Sequence, residues 1–311
     1  MEFFRRVPTI RFMELRRYWY VLSAVVVLGS IALVMFRGLN LTVDFTGGVE
    51  MEVEFAQPVD LERARAALKE AGLEEFQVQN FGTTANDLLV RLPPVERGAS
   101  QAMADRVLGA LRTLDLGVEL RRTEAVGPQV SEELAEQAAL AVLMTLLLIL
   151  VYIALRFRWR FGVGSIVATM HDPIVATGAI ALLGIPFDLN VVAALLTILG
   201  YSVNDTVVIF DRMRERFLTM RKTESAQIMN RAINETMSRT IITSGTALSS
   251  VIFLAVLGGD TLRGFAVALA IGIVIGSYSS IYVAGAIALD LGASARDFMP
   301  PEKRSEADAL P

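Results

Sequence analysis

Long apolar stretches separated by short basic ones dominate this chain, and one polar block interrupts them early. Six stretches are apolar enough to cross a bilayer: residues 18–36, 138–155, 161–184, 189–211, 240–258 and 264–289. A spanning helix needs about 20 predominantly apolar residues, and most of the six meet that length. The stretch at 138–155 is short but nearly pure (AALAVLMTLLLILVYIAL) and can extend toward Leu134. Five of the six lie after residue 134. The pattern predicts an α-helical polytopic membrane bundle of six transmembrane helices with one large insertion after the first. The expected division is 1–37 for the N-terminal segment and first helix, 38–134 for the insertion, 135–290 for a five-helix block and 291–311 for a tail.

Inside the insertion the period changes. Val49–Phe55 is mostly alternating, as a half-buried strand requires. Asp60 can cap a helix running to Gly72, which supplies the stop. Glu75–Phe81 and Asn86–Leu92 read as strands around a turn at 82–86, residues 99–114 as a second amphipathic helix, and Gly117–Thr123 as a last strand. The order β-α-β-β-α-β suits a ferredoxin-like α+β extracytoplasmic domain; a strand-poor linker is the alternative. The carboxylates of this block are spread along amphipathic faces, as on a solvated surface. Asp44-Phe45-Thr46-Gly47-Gly48 is different, because two glycines just after a membrane exit permit backbone angles that a Cβ disfavours. Asp44 and Thr46 are expected to bond amides within that turn, making it a rigid coupling joint and not a phosphate loop.

Charge orients the bundle. Placing the N-terminus in the cytoplasm puts 18 of the 29 Lys and Arg on that side, while the short outer loops hold only Arg263. That asymmetry follows the positive-inside rule. Both termini are then cytoplasmic and residues 38–134 external. The first apolar stretch lacks a small-residue cleavage site, so a cleaved signal peptide is the weaker reading. The net charge of −4 averages over two compartments and gives no reason to expect nucleic acid. With no cysteine and one histidine, disulfides and a structural zinc site are not expected.

Candidate chemistry lies inside the apolar stretches. An ionisable side chain near the bilayer centre costs about 2.5–3.5 kcal/mol on insertion scales and usually marks a pathway. Asn204 and Asp205 sit in the fourth stretch, one turn after Gly200 and Tyr201, where Gly200 is expected to allow close helix approach. Arg239 opens the fifth stretch from the same side, so an Asp205–Arg239 pair is feasible by depth and sign; the alternative is that Arg239 only snorkels to headgroups. His171 and Asp172 lie deep in the third stretch. Consecutive helix positions point about 100° apart, so the two are not expected to share a site. Pro173 removes an amide donor and is expected to kink that helix beside a water-lined cavity; the alternative is that Asp172 and His171 only bond neighbouring helices. Asp188 reads as a cap for the fourth helix. A buried carboxylate of this kind can load and release a proton, and no ATP-binding loop offers another energy source.

The motifs VDFTGG at 43–48, VGPQVSEEL at 126–134, HDPIV at 171–175, GYSVNDTVVIFDRMRE at 200–215 and NRAINETMSRTIITS at 230–244 occur in that order. With them the chain resembles the SecD/SecF family of bacterial protein-export membrane proteins, itself similar to the resistance–nodulation–division transporters. The NDT-containing form points to the SecF half. The resemblance implies six spans, an external ferredoxin-like domain, and proton transport by an aspartate and an arginine that fall on Asp205 and Arg239. It implies a SecD companion, the SecYEG channel, the accessory YajC and a translocating preprotein as partners, in the bacterial inner membrane. Protons would be the coupling ion, with no other cofactor and no covalent chemistry. Pro173 and the Thr246-Ala247-Leu248 run depart from the family pattern. Two other readings stand beside this one: a self-associating proton-coupled exporter of small or lipid-like molecules, and a passive scaffold in which Asp205 and Arg239 are dispensable.

Overall fold

The computed structural model describes residues 7–80, 86–94, 100–115, 117–220 and 222–298. Most of the expected turn at 82–86, and all of the tail after residue 298, lie outside these residues. Helix α1 (Arg16–Arg37) leads to a two-residue strand β1 (Asn40–Leu41), one helical turn α2 (Val43–Thr46), and strand β2 (Gly48–Glu54). Then come α3 (Leu61–Glu70), β3 (Gln77–Asn80), β4 (Asp87–Leu92), α4 (Ser100–Leu111) and β5 (Glu119–Val126). The rest is helical: α5 (Pro128–Arg156), α6 (Trp159–Leu183), a short strand β6 (Pro186–Phe187), α7 (Leu189–Thr219), α8 (Ser225–Leu257) and α9 (Gly259–Ser279). Helix α9 passes through a π-turn at Ser280–Ala284 into α10 (Gly285–Asp290).

Six of the described helical segments are long and apolar enough to cross a membrane, as the pattern predicts. Several run past the apolar stretches. Helix α8 begins fifteen residues before the expected 240, and α7 continues to Thr219. Local chemistry sets the ends. Gly127 and Pro128 open α5, with proline where its missing N–H costs nothing. Gly184 closes α6 in the left-handed conformation at φ 67°. Asp188 caps α7 as predicted, its Oδ1 accepting from Val191 N–H at 2.8 Å.

The insertion is a four-stranded antiparallel sheet in the order β3-β4-β2-β5. Val49, Met51 and Val53 of β2 share one buried core with Leu88 and Val90 of β4, Leu68 of α3, and Val107 and Leu111 of α4. The intervening Glu50, Glu52 and Glu54 are on the opposite face, by the two-residue period of a strand. Asp60 caps α3 by accepting from Glu62 N–H at 3.1 Å, and Gly72 follows that helix with φ 77°.

In the bundle, α6, α7 and the α9–α10 segment form the buried centre, whereas α1, α5 and α8 leave most of their apolar windows uncovered. Small residues let the central helices close. A Cβ on Gly178 would come within 2.2 Å of Ser30 Cβ, one on Gly164 within 2.4 Å of the Ala284 carbonyl, and one on Gly272 within 2.1 Å of Ile198. Away from the sheet, the first described residues lie on α8: Asn234 Oδ1 accepts from Ile10 N–H at 3.0 Å and Asn230 Oδ1 from Met13 N–H at 2.9 Å. Beside them Glu235 is ion-paired with Arg212 at 3.0 Å, Arg216 at 2.7 Å and Arg231 at 2.6 Å, which ties the polar ends of α7 and α8 together.

Candidate functional site

The two intramembrane aspartates sit on different sides of α7 and are held very differently. Asp172 is fully buried on α6. Its Oδ2 accepts from the hydroxyls of Ser202 on α7 and Ser279 on α9, the latter at 2.8 Å. Its Oδ1 lies 2.9 Å from His171 Nδ1. The expectation that His171 and Asp172 could not share a site is therefore corrected. The imidazole is long enough to fold back across the step between consecutive positions. The Ser280 hydroxyl, in the π-turn, is 2.9 Å from that of Thr206, so the whole α6–α7–α9 junction is hydroxyl-lined. Both oxygens of Asp172 are thus engaged, and α6 runs on through Pro173 as a single helix.

Asp205 points to the other side, toward α8. It is 4% exposed, and its Oδ2 is buried without a hydrogen-bond partner. Ser244 of α8 lies beside its carboxylate. The same serine hydroxyl accepts from Tyr201 Oη at 3.2 Å and lies 2.8 Å from Ser277 Oγ of α9. An unpaired buried carboxylate oxygen forfeits the hydration it would have in water. Of the two aspartates, this is the one with capacity to take up a proton or a new donor.

Arg239 stands five residues before Ser244, about 7.5 Å along α8 toward the α7–α8 connection. No ion pair joins it to Asp205 among the described residues. The guanidinium is exposed. Asn204 is exposed as well, and Gly200 meets no atom within 4 Å. Within this chain Gly200 is not a close-approach residue: it lies on the uncovered side of α7, and the tight contacts belong to Gly164, Gly178 and Gly272. Thr197 on α7 and Thr246, Ser249 and Ser250 on α8 are also uncovered, each hydroxyl donating to a carbonyl four residues back at 2.7–3.1 Å. Polar side chains thus stand on the outer faces of both helices that flank Asp205. The sequence reading missed Ser202, Ser244, Ser277 and Ser279; the signal was hydroxyl residues within a turn of each acidic pair or on the facing apolar stretch.

The glycine joint is fastened to the same helices. Strand β1 pairs in parallel with β6, in the α6–α7 connection. Thr42 N–H donates to the Phe187 carbonyl at 3.1 Å. Asp44 accepts from Leu189 N–H at 3.1 Å, and Thr46 Oγ1 donates to the carbonyls of Thr42 and Gly47, so neither side chain bonds an amide within the turn as expected. Gly47 and Gly48 have φ of 66° and 120°, and a Cβ on Gly48 would fall 2.2 Å from the Leu92 carbonyl oxygen. The two glycines do occupy backbone space closed to other residues.

Between the sheet and the adjoining helix ends lies a cleft of about 590 Å³, bordered by Asp44, Glu50, Glu52, Glu124, Asp188 and Asp260 against Arg122 and Arg263. Burial pushes the Glu50 and Glu52 carboxyls above their ordinary range, outweighing the guanidiniums of Arg91 and Arg122 beside them. Arg122 bridges the cleft by donating to the Thr261 hydroxyl at 2.7 Å.

Six apolar helices among the described residues around two buried aspartates, with an α+β insertion after the first, define a multi-pass membrane protein of the transport class. Residues 107–294 match the family Protein export membrane protein SecD/SecF, C-terminal, and residues 32–59 match the SecD/SecF GG Motif. The chain belongs to the SecD/SecF family. It is 46% identical to the protein translocase subunit SecF of Vibrio alginolyticus, over 96% of this chain and 95% of that one. It is 41% identical to that of Haemophilus influenzae, over 98% and 93%. The crystal structure of SecDF, a translocon-associated membrane protein from Thermus thermophilus, superposes with a TM-score of 0.81 at 38% identity. That match covers 91% of this chain but only 39% of the SecDF chain.

Proposed function

We propose that this chain is an accessory subunit of the bacterial Sec protein translocase that couples proton entry to preprotein export together with a SecD-like companion. The observation that carries this reading is the half-unpartnered, buried Asp205 carboxylate behind an uncovered polar face. Polar groups on the outside of a membrane helix call for a covering bundle, and the SecDF relatives hold in one chain what this family member would share with a companion. Asp205 carries the proton in this scheme. Arg239 biases its charge, Asn204 faces the companion, and Asp172 with His171 and Pro173 braces α6 against α7 and α9. Moving one charge through the membrane potential supplies about 2.3 kcal/mol per 100 mV.

The protein is multi-pass in the inner membrane with both termini cytoplasmic, and residues 38–134 are periplasmic. The strand order and the two helices on one side of the sheet support a ferredoxin-like reading of the insertion. The SecYEG channel, a YajC-like subunit and the preprotein are its further partners. The test is preprotein export in vesicles containing channel and companion. Asp205→Asn keeps shape and one acceptor but removes the titratable group. It is expected to assemble normally and to lose the proton-dependent part of export; wild-type stimulation by this variant rejects the reading.

A further inference from the structure

At the end of the bundle away from the sheet, the turn from α5 to α6 packs against α7 around a cavity of about 380 Å³. Phe157, Phe161 and Phe210 give it an aromatic wall, with Phe161 and Phe210 edge-to-face at 5.0 Å. Its two acidic neighbours are already neutralised. Asp211 is ion-paired with Arg156, and Asp297 with Arg160 at 2.5 Å. Arg158 and Arg214 line the same cavity, are exposed, and make no ion pair among the described residues. The site thus holds two uncompensated guanidiniums and no free carboxylate.

Its surroundings say where the missing anion comes from. Leu155 is 85% exposed and Trp159 61% exposed, one on each side of the turn. Leucine and tryptophan uncovered together at the ends of two spanning helices suit the boundary between acyl chains and headgroups, where tryptophan concentrates. Arg160 lies over the Trp159 ring at 5.2 Å and Arg156 over the Phe157 ring at 5.3 Å, so the basic rim is braced by aromatic faces. The first turn of α6 also starts at Arg158 without a side-chain cap, which adds free N–H groups of the same electrostatic sign.

We infer that this cavity binds the headgroup phosphate of an anionic glycerophospholipid, with Arg158 and Arg214 clamping the phosphate and an acyl chain running past Leu155. Guanidinium pairs match phosphate oxygens in geometry as well as charge. A zwitterionic lipid is a poorer fit, because Asp211 and Asp297 are both engaged and nothing is left to meet its ammonium. The inference rests on the reading that these helices span a membrane, with this end facing the anionic cytoplasmic leaflet. A lipid held here would brace the connection between α5 and α6 against α7.

The test uses the full chain with its companion in nanodiscs, titrated with phosphatidylglycerol, phosphatidylcholine or inorganic phosphate. Retained lipid is read by native mass spectrometry. Wild type is expected to retain phosphatidylglycerol at least tenfold better than phosphatidylcholine. Arg158→Gln with Arg214→Gln is expected to lose about tenfold or more of that preference, whereas Arg17→Gln, an exposed basic residue elsewhere on the same end, leaves it within twofold. Should the double glutamine variant fail to fold, the double lysine variant, which keeps the charges, is expected to retain an intermediate preference. Equal retention of the two lipids overturns the proposal, and so does equal loss in the Arg17 control. Displacement of the lipid by millimolar inorganic phosphate, leaving a simple anion site, overturns it too. Because these readouts require no export, they remain decisive even if Asp205 proves dispensable.

Discussion

Asp44 accepts a hydrogen bond from the Leu189 backbone N–H at 3.1 Å, which fastens the exit of the first span to the first residue of the helix that carries Asp205. The neighbouring rings repeat the connection, with Phe45 and Phe187 centred 5.8 Å apart. A shift of α7 along its axis therefore pulls on α2 directly, and through Gly47 and Gly48 on the first strand of the sheet. The turn before Gly47 is thus bonded to the helix that carries Asp205.

Asp44→Ala removes a charge-assisted bond worth about 1.5–3 kcal/mol. Amide hydrogen exchange over residues 186–192 is expected to speed up while the sheet stays protected. Asp44→Asn keeps an acceptor and is expected to lie between that variant and wild type. Unchanged exchange in the alanine variant rules out the fastening.

The two kinds of glycine separate cleanly. At Gly48 any side chain meets both a φ of 120° and the Leu92 carbonyl, so Gly48→Ala is expected to cost at least about 1–3 kcal/mol. Gly200 meets nothing within 4 Å, and Gly200→Ala is expected to stay within about 0.5 kcal/mol of wild type. Thermal unfolding of the isolated chain in detergent measures both. A large loss at Gly200 would mean that it is packed in the protein after all.

How much of this was legible follows from the range of each interaction. Asp188 and Asp60 were recognisable as caps because a cap acts on the next few residues. The six helices were recognisable because burial in lipid demands a long apolar run. The extensions of α7 and α8 were not, since their polar ends are held by Glu235 and its three arginines and not by hydropathy. Asp44 was read as a turn-former because its partner lies 145 residues away. Gly200 was expected to let helices approach, but a small side chain says nothing about which neighbour it meets, and within this chain it meets none. Ser202 and Ser279 were passed over because a serine in a membrane helix often bonds only its own backbone, as Ser249 does here.

Asp172 and Asp205 are expected to fail in opposite ways. Asp172→Ala removes the shared partner of Ser202, Ser279 and His171 in a buried junction, at about 1–3 kcal/mol for each group left unsatisfied, while the Ser279 hydroxyl keeps the Gly276 carbonyl at 3.2 Å. Lower thermal stability and poorer assembly should follow. Asp205→Ala removes a carboxylate that already has a bare oxygen, so stability should hold while proton-driven export is lost. Arg239→Gln, at an exposed position, should behave like the Asp205 variant. If Asp172→Ala is stable and inactive, the assignment of roles between the two aspartates is reversed.

The acidic cleft is expected to give the sheet domain a pH-dependent hold on the bundle. Glu50 and Glu52 have carboxyls raised by burial, so ionising them costs more in the closed cleft than in an open one. The hold is complete below the ordinary carboxylate range and weakens as pH rises through the raised values. Facing them are Asp44, Glu124, Asp188 and Asp260, which add repulsion once charged, while Arg91, Arg122 and Arg263 oppose it. Between pH 5 and pH 8, after correction for intrinsic rates, hydrogen exchange in residues 183–190 and in β5 is expected to rise, while the sheet core around Met51 stays protected. Glu52→Gln removes one of the two titrating groups and should flatten that rise. An exchange profile independent of pH in wild type, or an undiminished rise in Glu52→Gln, would show that these carboxylates do not govern the contact.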